Sequence, residues 1–482
     1  MLKIYIDNSR CKLMGLSDGK VLAELDKHLS YMVHSYQFMR QNTGWDGRYR
    51  LFSKKSGLFP VGLLPMVENI LKVNKYKYEL IDKRGDTLYG PSLEVAPESG
   101  FIPRDYQEEA AAAAIKAGSG ILRAATGAGK SLIISMIAGH YNVKTIIYVI
   151  GKELLYQMKA TIEKSLGVEC GIVGDGKCEI VDGINIVTIW SAASAFNKKV
   201  KLLDSDSTKG KALTKSQEKR RAVKDLVRNA KLFFVDECQY AAAETVQFLH
   251  RESVSARHRF LLSGTPWREN GDDILIEAVS GPKFYDITAT ELIDTGWLVR
   301  PYITFLNVPT IRNVGKTYPE VYNNFVVNND FRNFQIANAA KKMSDAGRKV
   351  LILVTKVDHG KVIKDFLDPN LNVNSLNGMN STGERMRAIR EMKDGKLDVM
   401  IASRIFDQGI DIPELDALIL AGSGKSTARA LQRIGRVIRK KDGKTNAAVV
   451  DFYDNCKYLR EHSQARYKIY SSEPGFKIKR NR

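Results

Sequence analysis

A chain of 482 residues is too long for one hydrophobic core, so two or three domains are expected. Lys and Arg outnumber Asp and Glu by 74 to 54, a formal net charge of +20 that suits a polyanionic partner whose binding weakens with salt. Five scattered cysteines without CxxC pairs or zinc-spaced histidines argue against a disulfide framework or zinc site, and no apolar run approaches the roughly 18 residues of a membrane span.

The start of the chain, Met1 to Lys12, lacks a signal peptide's apolar core, and a soluble protein of a reducing cytoplasm is expected. Residues 1–98 mix short alternating and amphipathic segments, which predicts a small basic α+β domain. A linker is expected from Gly85 to Gly100, marked by Pro91 and Pro97. From 99 to 298 short apolar strands alternate with helical patterns: Ile121–Ala125, Thr145–Ile150, Ile184–Ile189, Leu232–Val235 and Phe260–Ser263. The rhythm repeats over 299–482, with strands at Val350–Thr355, Val399–Ser403, Leu418–Ala421 and Ala447–Phe452. Such alternation predicts two consecutive α/β lobes, each a parallel sheet covered by helices. A Lys/Arg-rich stretch, Lys198–Lys231, interrupts the first and reads as a long loop plus an exposed helix, either a solvated charged face or a duplex or strand contact next to the motor.

Three clusters carry chemistry. After the strand Ile121–Ala125, the residues Thr126, Gly127, Ala128, Gly129, Lys130 and Ser131 open into an apolar helix, the arrangement of a phosphate loop. Gly127 and Gly129 permit backbone angles that aim amide hydrogens at phosphate oxygens, and the helix start adds its positive end. Lys130 would reach the β and γ phosphates of ATP, and Ser131 a magnesium ion. Downstream, Leu232–Val235 delivers Asp236 and Glu237 to the carboxyl edge of its strand, where ligands of open α/β sheets bind. Asp236 would hold Mg2+ through water and Glu237 would orient or deprotonate the attacking water. In the second lobe, QRIGRVIR from Gln432 to Arg439 reads as a helix on which Arg436 and Arg439 share a face, suited to the γ phosphate as arginine fingers are. ATP would then act as a hinge between the lobes, released by hydrolysis.

The ordered set resembles a superfamily 2 helicase from about Arg104 to the C-terminus, which implies two RecA-like lobes. Arg104-Asp105-Tyr106-Gln107 is similar to the adenine-reading element, with Gln107 placed to pair with the base. The phosphate loop resembles motif I, Asp236-Glu237-Cys238-Gln239 motif II, Ser263-Gly264-Thr265-Pro266 motif III, and Gln432 to Arg439 motif VI. By the same resemblance Lys152, Thr188 and Trp190, Thr355 and Lys356, and Ser403 with Arg404 line a nucleic-acid track, while Gly409 and Asp411 of motif V also touch the nucleotide. Gln239 stands where the nearest relatives carry His. It can still hydrogen-bond Ser263 or Thr265, the residues that couple hydrolysis to motif III, so an active ATPase is expected. Gly422-Ser423-Gly424-Lys425-Ser426 imitates a second phosphate loop, but Ile419 occupies the position that needs a small residue. It reads instead as a turn, with Ser426 or Thr427 capping the next helix.

Superfamily membership does not reveal a substrate. The stretch from Gly44 to Leu64 resembles the accessory domain of UvsW-type branch-migration DNA helicases of phages. That implies a partner of branched or forked duplex DNA, with RNA–DNA hybrid also open, and a monomer suffices. Arg48, Arg50, Lys54 and Lys55 are the candidate phosphate contacts of this domain, whereas Trp45 and Phe52 read as core. An RNA helicase, a restriction-enzyme motor and a non-catalytic DNA-binding scaffold remain as alternatives.

Overall fold

In the computed structural model, the described residues are 1–33, 45–196, 214–266, 271–311, 314–403, 414–422, 424 and 426–480. They group into two compact units, 1–124 with 129–286, and 125–128 with 287–482. None of the helices among them is long and apolar enough to cross a membrane.

The first unit begins with a small α+β layer. Its strands are β1 (Leu2–Ile6), β2 (Arg10–Met14), β3 (Ser30–Met32), β4 (Arg48–Arg50), β5 (Leu58–Pro60) and β6 (Tyr78–Asp82). A mixed sheet runs β5-β2-β1-β6, and β3 pairs with β4. Strict alternation puts Leu2, Ile4, Ile6, Cys11 and Leu13 on one face. Against that face pack Val21 and Leu25 of the helix Gly19–His28, and Val67, Ile70 and Leu71 of Leu64–Val73. Asp18 caps the first of these helices and also accepts from the Tyr76 hydroxyl at 2.9 Å.

This core is shared with its neighbour, because Ala278 and Ile274 of the helix Ile274–Ser280 close it. Gly62 makes the close approach possible: a Cβ there would lie 2.0 Å from the Glu277 carbonyl oxygen and 2.7 Å from the Gly281 nitrogen. Gly62→Val should therefore wedge the two layers apart and cost about 1–3 kcal/mol, read as a lowered urea midpoint. Apart from one 3-10 turn at Pro97–Ser99, the segment expected as a linker has no regular structure, yet it is bonded to the next layer. Gly90 donates to the Asn142 carbonyl (3.1 Å), Leu93 to Gly139 (2.9 Å) and Ala96 to Ser165 (2.7 Å).

The large sheet of this unit contains β7 (Gly120–Ala124), β8 (Thr145–Val149), β9 (Gly171–Gly174), β10 (Lys177–Glu179), β11 (Ile184–Thr188), β12 (Leu232–Asp236), β13 (His258–Ser263) and β14 (Lys283–Ile287), in the order β10-β9-β11-β8-β12-β13-β7-β14. Strands β8, β11, β12 and β13 are buried along their whole length, as central strands covered on both faces must be. All five expected strands form within two residues of their ends; β9 and the edge strands β10 and β14 were not expected. Of the basic stretch, 197–213 lies outside the described residues. The helix Lys215–Asn229 is amphipathic, burying Val223, Leu226 and Val227 and leaving its charges in water.

The second unit holds β15 (Arg300–Val308), β16 (Val350–Leu353), β17 (Val373–Leu376), β18 (Val399–Ala402), β19 (Ala417–Ile419), β20 (Asn446–Asp454) and β21 (Lys477–Arg480), ordered β17-β18-β16-β19-β20-β15-β21 with parallel pairings throughout. Two buried guanidiniums organise its carboxyl edge. Arg332 pairs with Asp454 at 3.0 Å, both fully buried, and donates to the Ala421 carbonyl at 2.7 Å. Arg466 grips both oxygens of Asp451, at 2.8 and 2.9 Å, and donates to the Gly424 carbonyl at 2.9 Å. Together they hold the residues expected to form a turn, and Ser426 caps the helix Thr427–Val437 by accepting from the Arg429 amide.

Candidate active site

Three adjacent strands of the first unit, β12, β13 and β7, bring motifs II, III and I to one edge of the sheet. After β7 the loop turns through Gly127 (φ 95°) and Gly129 (φ 78°), left-handed angles that disfavour a side chain, and the helix Lys130–Tyr141 starts at the lysine. Gly129 has a second reason to be glycine, because a Cβ there would lie 2.3 Å from the Gln107 amide nitrogen. Gln107 itself is buried, and its side-chain oxygen accepts the Arg104 amide at 3.0 Å, closing a capping box at the start of the helix Asp105–Ala117. Residues 125–128 of the loop group with the second unit. There Gly435 backs onto Thr126, with only 2.4 Å between an added Cβ and the Thr126 Cβ.

On β12, Asp236 is buried while Glu237 adopts a left-handed backbone (φ 62°, ψ 61°) rare for a residue with a side chain. Burial and the neighbouring Glu237 charge push the Asp236 carboxyl up to about 6, and Lys130 acts in the opposite sense. One desolvated carboxylate beside a lysine, a serine at the helix start and a cradle of amides fit Mg2+ held with nucleotide phosphates, an ion that uses few protein ligands. Among the described residues no cluster of three or more His, Cys, Asp or Glu offers a metal cage of the protein alone.

Gln239 links the motifs. Its amide nitrogen donates to Glu237 Oε2 (2.9 Å), its oxygen accepts from Ser263 Oγ (2.6 Å), and Ser263 Oγ in turn accepts from the Thr265 amide (3.0 Å). A primary amide offers N–H donors on one side and an acceptor oxygen on the other, in a fixed plane, so it bridges a carboxylate to a hydroxyl without a titrating proton. Of the two partners expected for Gln239, the structure selects Ser263. Gln239→Ala should lower nucleic-acid-stimulated ATP turnover between about tenfold and a hundredfold, the worth of a hydrogen bond to a charged group. Gln239→His should retain most of the turnover, and a steady-state ATPase assay decides between these outcomes.

The expected nucleic-acid contacts divide sharply. In the accessory domain, Arg50 pairs with Asp26 (3.0 Å) and Asp46 (2.5 Å), and Lys54 pairs with Asp26 (3.1 Å). Both expected phosphate contacts thus already carry carboxylate partners within the domain. Arg48 donates to Ser30 Oγ, Trp45 to the Arg48 carbonyl, and Lys55 is exposed. Phe52 is core, as expected. In the sheet, Thr188 is buried and caps the helix Ile189–Ala195, whereas Trp190 is 66% exposed. Lys152 is half-exposed, with Asp175 at 3.6 Å. Thr355 faces the Gly422 carbonyl, and Lys356 donates to Asn323. Ser403 is described and buried, but Arg404, Gly409 and Asp411 lie outside the described residues.

A second correction concerns motif VI. Its helix ends at Val437, so Gln432 and Arg436 lie on it, but Arg439 lies beyond it in a β-bridge to Leu298. The two arginines therefore do not share a helical face.

Residues 100–268 match the family of the type III restriction enzyme res subunit, and residues 334–441 the helicase conserved C-terminal domain, in the order of the motifs. The chain is a superfamily 2 helicase. It resembles the phage UvsW type. The helicase is 26% identical to the ATP-dependent DNA helicase uvsW of Enterobacteria phage T4, over 93% of each chain. It is 27% identical to putative helicase 22 of Sulfolobus islandicus filamentous virus, over 74% of this helicase and 64% of that protein. Among solved structures, the type ISP restriction-modification enzyme LlaBIII bound to DNA aligns with a TM-score of 0.56 at 15% identity, covering 79% of the helicase and 31% of that chain, a likeness of fold.

Proposed function

We propose that this helicase is an ATP-driven DNA translocase that moves branch points: Holliday junctions, regressed forks and D-loops or R-loops. The observation that carries the reading is the extent of the likeness to the T4 DNA helicase. RNA and DNA enzymes share the motor, so substrate is read from what lies outside it, and the similarity runs through 93% of both chains, more than the motor alone.

In this reading Gln107 contacts the adenine, the amides around Gly127 and Gly129 cradle the phosphates, and Lys130 neutralises charge on the β and γ oxygens. Ser131 and Asp236 would hold Mg2+, which supplies charge neutralisation on the phosphates when bound. Glu237 orients the attacking water and accepts its proton, while Gln239 reports the state of that carboxylate to Ser263 and Thr265. For Arg436 and Arg439 the proposed role is stabilisation of charge developing on the γ phosphate. The track contacts are phosphate contacts, so sequence preference should be weak.

ATP turnover measured with single strand, duplex, fork, four-way junction, RNA–DNA hybrid and RNA tests the proposal. Fork and four-way junction should stimulate most, and stimulation should fall with salt. Stimulation by RNA with indifference to DNA would make this an RNA helicase, and no turnover above background would make it a scaffold.

A further inference from the structure

Where the accessory layer meets the helix Glu244–Glu252, a cleft of about 580 Å³ opens, within the roughly 300–1,000 Å³ typical of small-ligand sites. One wall is aromatic: Tyr49, 52% exposed, lies against Tyr31 with ring centres 5.5 Å apart. Leu51, Pro60 and Leu275 add apolar surface. The floor is already satisfied. Gln247 donates to the Ala241 and Leu275 carbonyls, and buried His250 is bonded to the Arg259 guanidinium at 2.5 Å. Burial and Arg259 keep that imidazole neutral, and Arg10 and Arg251 line the same cleft.

Arg10 and Arg251 are exposed, and among the described residues neither takes part in an ion pair. They contrast with Arg50 and Lys54, whose partners are Asp26 and Asp46. Glu244 is the sole carboxylate of the lining. A flat apolar wall beside two uncommitted guanidiniums is the chemistry of single-strand recognition: bases stack on aromatic faces and arginines take the phosphates. A duplex keeps its bases stacked inside and would leave the tyrosine face unused.

Resting on the reading as a DNA translocase, we infer that this cleft holds an unpaired DNA nucleotide, its base on Tyr49 and its flanking phosphates on Arg10 and Arg251. The site also touches the motor. Ala242 and Glu244 line it and follow closely on Glu237 in the chain, so an occupied cleft bears on the segment that carries the catalytic carboxylate.

The test uses the full chain and a single-stranded oligonucleotide containing 2-aminopurine, whose fluorescence is quenched by stacking. Tyr49→Ala should weaken single-strand binding about tenfold or more and abolish the quench, while Tyr49→Phe keeps both. Arg251→Gln alters an exposed side chain, so folding is not at stake, and it should flatten the dependence of log K on log salt by about 0.7. Unchanged affinity and salt slope in both Tyr49→Ala and Arg251→Gln, in a protein whose ATP turnover is stimulated by DNA, would overturn the cleft assignment alone. A wild-type protein whose turnover ignores DNA would instead remove the functional reading on which it rests.

Discussion

Replacing Lys130 by alanine is expected to lower ATP turnover by at least about a hundredfold, the scale of losing one positioned group that stabilises developing charge. Lys130 begins the helix Lys130–Tyr141 directly after left-handed Gly129, so its ammonium and the helix's positive end act on the same phosphates. ATP binding should weaken as well, because the lysine contacts ground state and transition state alike. Glu237→Gln gives the informative contrast. The amide keeps the size of the carboxylate and still offers an oxygen to Gln239, but it cannot accept a proton from water. Turnover should fall comparably while affinity for a fluorescent ATP analogue stays near wild type. If Glu237→Gln turned over ATP at the wild-type rate, the base would lie elsewhere.

The second large effect lies in the other unit and concerns stability. Arg466 satisfies both oxygens of buried Asp451, and its removal would leave that carboxylate without a counter-charge among these partners, with only the neutral Tyr470 hydroxyl (3.0 Å) and Phe452 amide (2.7 Å) donating to it. Arg466→Ala should therefore cost about 3–5 kcal/mol, the usual penalty for orphaning one partner of a buried ion pair. The double change Arg466→Met with Asp451→Leu removes both charges and should recover much of that loss. Urea unfolding of the three proteins measures the difference. A single variant as stable as the parent would show that Asp451 finds another partner. Activity should suffer too, since Arg466 also binds the Gly424 carbonyl just ahead of Ser426, the cap of the helix carrying Gln432 and Arg436.

Much of the motor was legible because its constraints are local. Continuous apolar runs such as Leu232–Val235 admit few structures other than a strand buried on both faces, and the phosphate loop announces itself through glycines whose angles few other residues adopt. The edge strands β10, β17 and β21 were missed because a strand with one open side needs no continuous apolar run. The ion pairing of Arg50 and Lys54 was hidden for a different reason. Their shared partner Asp26 is more than twenty residues away, so only the fold shows that contact, although Asp46 lies four residues before Arg50. The guanidiniums left uncommitted, Arg10 and Arg251, are isolated in the sequence and carry no motif at all. Arg439 was expected on the helix because the pattern of three arginines continues past the helix end at Val437, where nothing in the residue types marks the stop.

The hydrogen bonds from 90, 93 and 96 to the neighbouring layer have a practical consequence for dissecting this enzyme. Residues 85–100 look like a place to cut, yet the backbone there is clamped, so a protease would find it a poor substrate despite its glycines and prolines. A truncated motor starting near Gly100 would also lay bare Ile274 and Ala278, which the accessory core now covers. Such a fragment should be prone to self-association, and its loss of activity would say little about what the missing part recognises.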